Sequence, residues 1–142
     1  MNNNNFELER FIDAQKYGYQ TALSEIIAGE KKSHWIWYIF PQIVGLGRSS
    51  QAEKYGIKSL DEAKAYLENN ILGSRLIEIS NELLKLQTND AYAVFGSPDN
   101  MKLKSCMTLF SLADPTQTVF SDVLEKYFNG NLDRKTLNLL NL

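Results

Sequence analysis

The side chains best equipped for chemistry gather between Lys31 and Ser50, KKSHWIWYIFPQIVGLGRSS, a stretch that holds the only histidine and both tryptophans. With an ordinary pKa near 6.5, His34 can give or take a proton at neutral pH as a general acid or base; the same imidazole also serves as a structural hydrogen-bonder. Trp35, Trp37 and Tyr38 offer flat apolar faces on which a planar heterocycle can stack, although rings at this density also make core. The polar margins argue for more than core. Buried polar side chains must be paired or they cost about 1–3 kcal/mol each, and Ser33, His34 and Gln42 stand directly at the ends of the aromatic strip. An aromatic face beside an imidazole and a carboxamide suits a ring that stacks and is hydrogen-bonded at its edge. Glu25, a few residues upstream, is the nearest carboxylate able to project toward the strip, and carboxylates stabilise cationic sugar-like transition states or activate water.

Anion contacts come from three places. Gly45 and Gly47 lack the third glycine of a dinucleotide fingerprint, but glycines bring backbone N–H groups close to a ligand, and Arg48 and Ser49 follow at once. Lys102, Ser105 and Thr108, with Lys104, fall on the first turns after Pro98, where a helix start favours phosphate. Lys31 opens the strip. Cys106 shares an apolar face with Leu103, Met107 and Phe110 and reads as a buried, inert thiol. One Cys and one His cannot make a Cys/His zinc site, so no metal and no cofactor is expected.

These residues need elements to hold them. Apolar positions from Phe6 to Ile27 recur every three or four residues and predict one or two helices, with Gly18 as break or kink and Gly29 as the stop. Trp35 to Phe40 is too short to read by period and Pro41 limits a helix there, so an extended segment and a helical turn both remain open. Gln42 to Tyr55 reads as a loop with a short turn at 50–54. Ser59 and Glu62 form a capping pair that starts a helix over 60–68. Asn69 and Asn70 interrupt, and leucines and isoleucines from Leu72 to Leu86 trace the next helix. Ser97 and Pro98 start another, with Ser97 as the capping hydroxyl, and Asp114 and Pro115 end it. Val119 to Phe128 is a further stripe closed by Gly130, and Leu137 to Leu140 a short last segment. The expectation is one mainly α domain of about six or seven helices over 6–142, with 1–5 a disordered tail.

Composition narrows the function classes. Fifteen basic and 17 acidic residues give a net charge of −2, which carries no overall footprint for nucleic acid or an anionic membrane. The start has no secretory pattern and no apolar run spans a membrane, so a cytoplasmic setting fits the single cysteine.

The segments FELERFIDAQ, ALSEIIAGEKKSHWIWYIFPQIVGLGRS, AYLENNILGSRL, VFGSPDNMKLKSCMTLF and VLEKYFNGNLDRKTLNLL resemble the family called domain of unknown function 1810. Ile36 stands where the family usually has methionine, and Cys106 where it has the second of two serines. The resemblance implies a small, mainly helical, cytoplasmic bacterial protein of no assigned activity. Some members carry the label calpastatin, which this apolar, repeat-free chain does not fit. The family is also distantly similar to the YbiA-like group, associated with ADP-ribose derivatives and N-glycosidic bond cleavage. That similarity implies an enzyme on a nucleotide-like or ADP-ribose-like small molecule, with Glu25 facing a cationic sugar and His34 assisting. A non-catalytic sensor or protein-interaction module is the alternative.

Overall fold

The computed structural model describes residues 6–142, so the expected tail at 1–5 lies outside the described residues. Among the described residues nine helices follow one another: α1 (Glu9–Ala28), α2 (Ile36–Ile39), α3 (Ser50–Lys54), α4 (Leu60–Glu68), α5 (Asn70–Lys85), α6 (Ala91–Phe95), α7 (Asp99–Ala113), α8 (Val119–Phe128) and α9 (Arg134–Leu139). Among the described residues there is no strand, only an isolated parallel bridge between Ile43 and Ile57. The fold is mainly α, as the periodicity predicts. The count exceeds six or seven because α2, α3, α6 and α9 are one or two turns each, too short to leave a periodic pattern.

α7 packs against α8, α4, α6 and α9, and α5 against α8, α1 and α4. The α7 residues Leu103, Cys106, Met107, Leu109 and Phe110 are fully buried, enclosed by α4, α6 and α8. α1 lies against α5 and α2. Of the one or two helices expected here there is one, and α1 is continuous through Gly18 with no break. A Cβ there would come within 2.8 Å of the Tyr38 ring, so the glycine makes room for that ring. At Gly29 the chain does stop, in the left-handed region at φ 82°.

Local chemistry explains the other junctions. Asn69 ends α4 and caps α5, its Oδ1 accepting from the N–H of Ile71 and Leu72 at 3.0 Å each. That single-residue turn brings α5 so close that a Cβ on Gly73 would lie 2.0 Å from the carbonyl oxygen of Leu67. The Ser59 hydroxyl accepts from the Glu62 N–H as expected, but the Glu62 carboxylate takes the N–H of Lys58. It does so because it is held by Arg10 Nη1 at 2.9 Å. α7 begins at Asp99 with Pro98 at its cap and no side-chain bond there, so Ser97 is not the capping hydroxyl.

Alanine in place of a helix-interior glycine usually stabilises by up to about 1 kcal/mol. Gly73→Ala is expected to do the reverse, lowering stability by about 1–3 kcal/mol through the clash with a backbone oxygen, as a shift in the urea midpoint will show.

Candidate functional site

The aromatic strip is a single helical turn, Ile36–Ile39, ended by Pro41, which keeps Phe40 out of helical geometry. One turn sends successive rings in different directions. Trp35 is 1% exposed and packs on Phe40 and Phe95 at centroid distances of 6.1 and 6.4 Å. Tyr38 turns toward Gly18 and toward Tyr55, 5.4 Å away. Trp37 is half-buried and faces a cleft of about 700 Å³.

The cleft is built from four parts of the chain. Trp37 of α2 and the loop after it contribute Gln42, Leu46, Gly47, Arg48 and Ser49. Tyr55 and Gly56 form a second wall, joined to the loop by Val44 N–H to Ile57 O at 2.7 Å and Ile57 N–H to Gln42 O at 2.8 Å. Glycine is required in both walls: a Cβ on Gly47 would lie 2.9 Å from Ala52 Cβ, and one on Gly56 2.8 Å from Val44 Cβ. α7 adds Met101, Lys102, Lys104 and Ser105, and the start of α9 adds Asp133, Arg134 and Lys135.

The electrostatics are one-sided. Five cations line the cleft, Arg48, Lys102, Lys104, Arg134 and Lys135, against one carboxylate, Asp133. Lys102 lies 3.5 Å from Asp99 and 5.3 Å from the centre of the Trp37 ring. Among the described residues the other four have no carboxylate within 4.0 Å. Asp133 is itself occupied, its Oδ2 accepting from the Ser105 hydroxyl and from the hydroxyl and N–H of Thr136.

Eight of the residues picked from sequence therefore meet in the cleft: Trp37, Gln42, Gly47, Arg48, Ser49, Lys102, Lys104 and Ser105. The others lie elsewhere. Gly45, at φ 106°, rests by Leu139. Thr108 is fully buried and accepts from the Asp133 N–H. Lys31 is buried against Asp99 at 2.8 Å, with its ammonium over the Trp35 ring. His34 is exposed and outside the cleft lining.

Glu25 and Ser33 are joined to each other rather than to the cleft. The Glu25 carboxylate accepts from the Ser33 hydroxyl at 2.6 Å, from the N–H of Lys32 and Ser33 at 2.8 and 3.0 Å, and from the Trp35 indole at 2.8 Å. Burial alone would raise this carboxyl, but the four donors outweigh it and hold it down at about 2. Glu25 does project toward the strip, where it fastens α1 to the segment entering α2. The Trp35 ring that faces Glu25 lies in the core, and neither Glu25 nor His34 lines the cleft.

Tyr55, Met101, Asp133, Arg134 and Lys135 were not anticipated. Asp133 had a local signal: an Asp three residues before Thr136, just after Gly130, is a helix-start pattern, and Asp133 caps α9. Among the described residues no cluster of three His, Cys, Asp or Glu side chains could hold a metal. No helix among them is long and apolar enough to cross a membrane.

Fold and site define a class: a small, mainly helical domain with a basic, aromatic-edged cleft. A family model described as "Protein of unknown function (DUF1810)" matches residues 5–140, and the chain belongs to that family. The chain is similar to a solved structure, the conserved hypothetical protein Rv1873 from Mycobacterium tuberculosis, with 44% identity and a TM-score of 0.94. The match covers 96% of this chain and 98% of that one. No curated protein matches, and the family and structure that do match are not of the YbiA-like group.

The Glu25 carboxyl has a lower pKa folded than the roughly 4.3 of an unfolded glutamate, so its stabilisation is complete above roughly pH 5 and is lost as pH falls toward 2. Glu25→Gln is expected to cost about 1–3 kcal/mol at pH 7. In paired urea titrations the gap between variant and natural chain should narrow below roughly pH 4 and close only as pH approaches about 2.

Proposed function

We propose that the protein binds a phosphate-bearing, nucleotide-like small molecule in the cleft. The observation that carries this reading is the gathering of five cations at one concavity in a chain whose net charge is −2. Four of the five have no carboxylate partner among the described residues; like charges repel one another, and an anion relieves that cost where they converge. A volume of about 700 Å³ lies within the range of small-molecule sites. Trp37 gives an aromatic edge for a base, Gln42 a carboxamide for its polar rim, and Arg48, Lys102 and Lys104 meet phosphate.

The reading is of binding rather than hydrolysis. Glu25 is bound to four internal donors, and the carboxylate that does line the cleft, Asp133, is committed to Ser105 and Thr136. A metabolite sensor or carrier needs nothing more than the cleft, and the non-catalytic alternative thus accounts for these residues better than glycoside cleavage does.

Thermal melting with adenosine, AMP, ADP and ADP-ribose tests it. The phosphorylated ligands should raise the melting temperature, by an amount equivalent to about 2.7 kcal/mol at a hundredfold excess over Kd, and adenosine should do much less. Arg48→Gln with Lys102→Gln should remove the shift while leaving the unliganded melt within about 1 kcal/mol. Equal, flat responses to all four at millimolar concentration would reject the reading.

A further inference from the structure

We infer that Asp133, the one carboxylate of the cleft, is a positioning residue that raises its affinity for anions although its own charge opposes them. This rests on the reading of the cleft as an anion site. The argument begins with α9, six residues long and far too short to hold its shape alone. It must be fastened at each end. Leu140 packs on the core just past its last turn, and Leu139 meets Gly45. At its start the fastening is polar and passes through Asp133.

That residue is bound in both directions. Its carboxylate Oδ2 accepts from the Thr136 N–H at 3.1 Å and the Thr136 hydroxyl at 2.6 Å, which closes the first turn of α9. The same oxygen accepts from the Ser105 hydroxyl of α7 at 3.0 Å. Its backbone N–H donates to Thr108 Oγ1, also of α7, at 2.9 Å. Thr108 and Thr136 are both fully buried, so neither side chain reaches a ligand. Asp133 therefore pins the start of α9 to the helix that bears Lys102 and Lys104. Arg134 and Lys135, which come next in the chain, are exposed and are held at the cleft by that pin.

Two effects of opposite sign follow, which makes the role measurable. As a bare charge among five cations, Asp133 weakens anion binding, and its removal would strengthen it. As a clamp it keeps two cations in place, and its removal would weaken binding. Asn keeps the helix-capping oxygen without the charge, whereas Ala keeps neither.

The test is calorimetric titration of the full chain with inorganic pyrophosphate at low salt. Asp133→Ala should weaken binding on the order of threefold to tenfold, the scale of two exposed charge contacts, while Asp133→Asn should bind at least as well as the natural chain. In a chain already carrying Arg134→Gln and Lys135→Gln, Asp133→Ala should cause no further loss, since the two cations it positions are gone. Thr108→Val should weaken binding in the same direction as Asp133→Ala, and it keeps the question decidable should the alanine variant not fold. Stronger binding in both Asp133 variants overturns the inference, as does an undiminished loss in the double-glutamine chain. Pyrophosphate that fails to bind the natural chain removes the anion-site reading and this inference together. Binding indifferent to both Asp133→Ala and Thr108→Val removes the inference alone.

Discussion

The Glu62 carboxylate is wholly removed from solvent, and much of the molecule is arranged to satisfy it. Breaking a buried ion pair by deleting one partner typically costs about 3–5 kcal/mol, because a desolvated charge is left alone. Arg10 meets Glu62 Oε2 at 2.9 Å while two of its N–H groups reach Lys54 O at 2.8 Å and Gly56 O at 3.0 Å. Glu62 Oε1 takes the Lys58 N–H on the other side. One pair thereby fixes the start of α1, the end of α3 and the start of α4. The residues it fixes between α3 and α4 lead into Ile57, whose backbone holds the loop bearing Gln42 and Val44. The cleft wall inherits its position from a charge buried outside it.

Glu25 performs the matching task for the opposite wall. Its four bonds bind the end of α1 to the entry of α2, so Trp35 is drawn inward and Trp37 is left to the cleft. Both carboxylates sit on or against α1, and both act as acceptors for neighbouring backbone.

Much of the fold was legible because local rules and tertiary structure agree in the long helices. α4 begins at its Ser59 cap, and α5 follows from Asn69 and a leucine face. Where they disagree, tertiary contact wins. Gly18 reads as a break because glycine is a poor helix former, yet the helix passes through it, since the space it vacates is filled by Tyr38 from another element. The short helices α2, α6 and α9 have no period to read and are held by caps and packing. The site was legible in part for the same reason. Gly47, Arg48, Ser49 and Gln42 are neighbours in sequence, and Lys102 and Ser105 share a helix face. Arg134 and Lys135 join them only through the contact of α9 with α7, which no local pattern encodes. Thr108 and Lys31 read as anion contacts, but each is engaged internally, Thr108 with the Asp133 N–H and Lys31 with Asp99.

The two tryptophans, two residues apart, give the protein a pair of optical probes that report on different things. Trp35 is sealed in the core, its indole N–H on the Glu25 carboxylate and a lysine ammonium 4.9 Å from its ring centre, so its emission is set by the integrity of the α1 to α2 junction. Trp37 borders the cleft beneath Lys102. A ligand in the cleft meets Trp37 and not Trp35, so an emission change on filling the cleft is expected from Trp37, and one on disturbing the Glu25 contacts from Trp35.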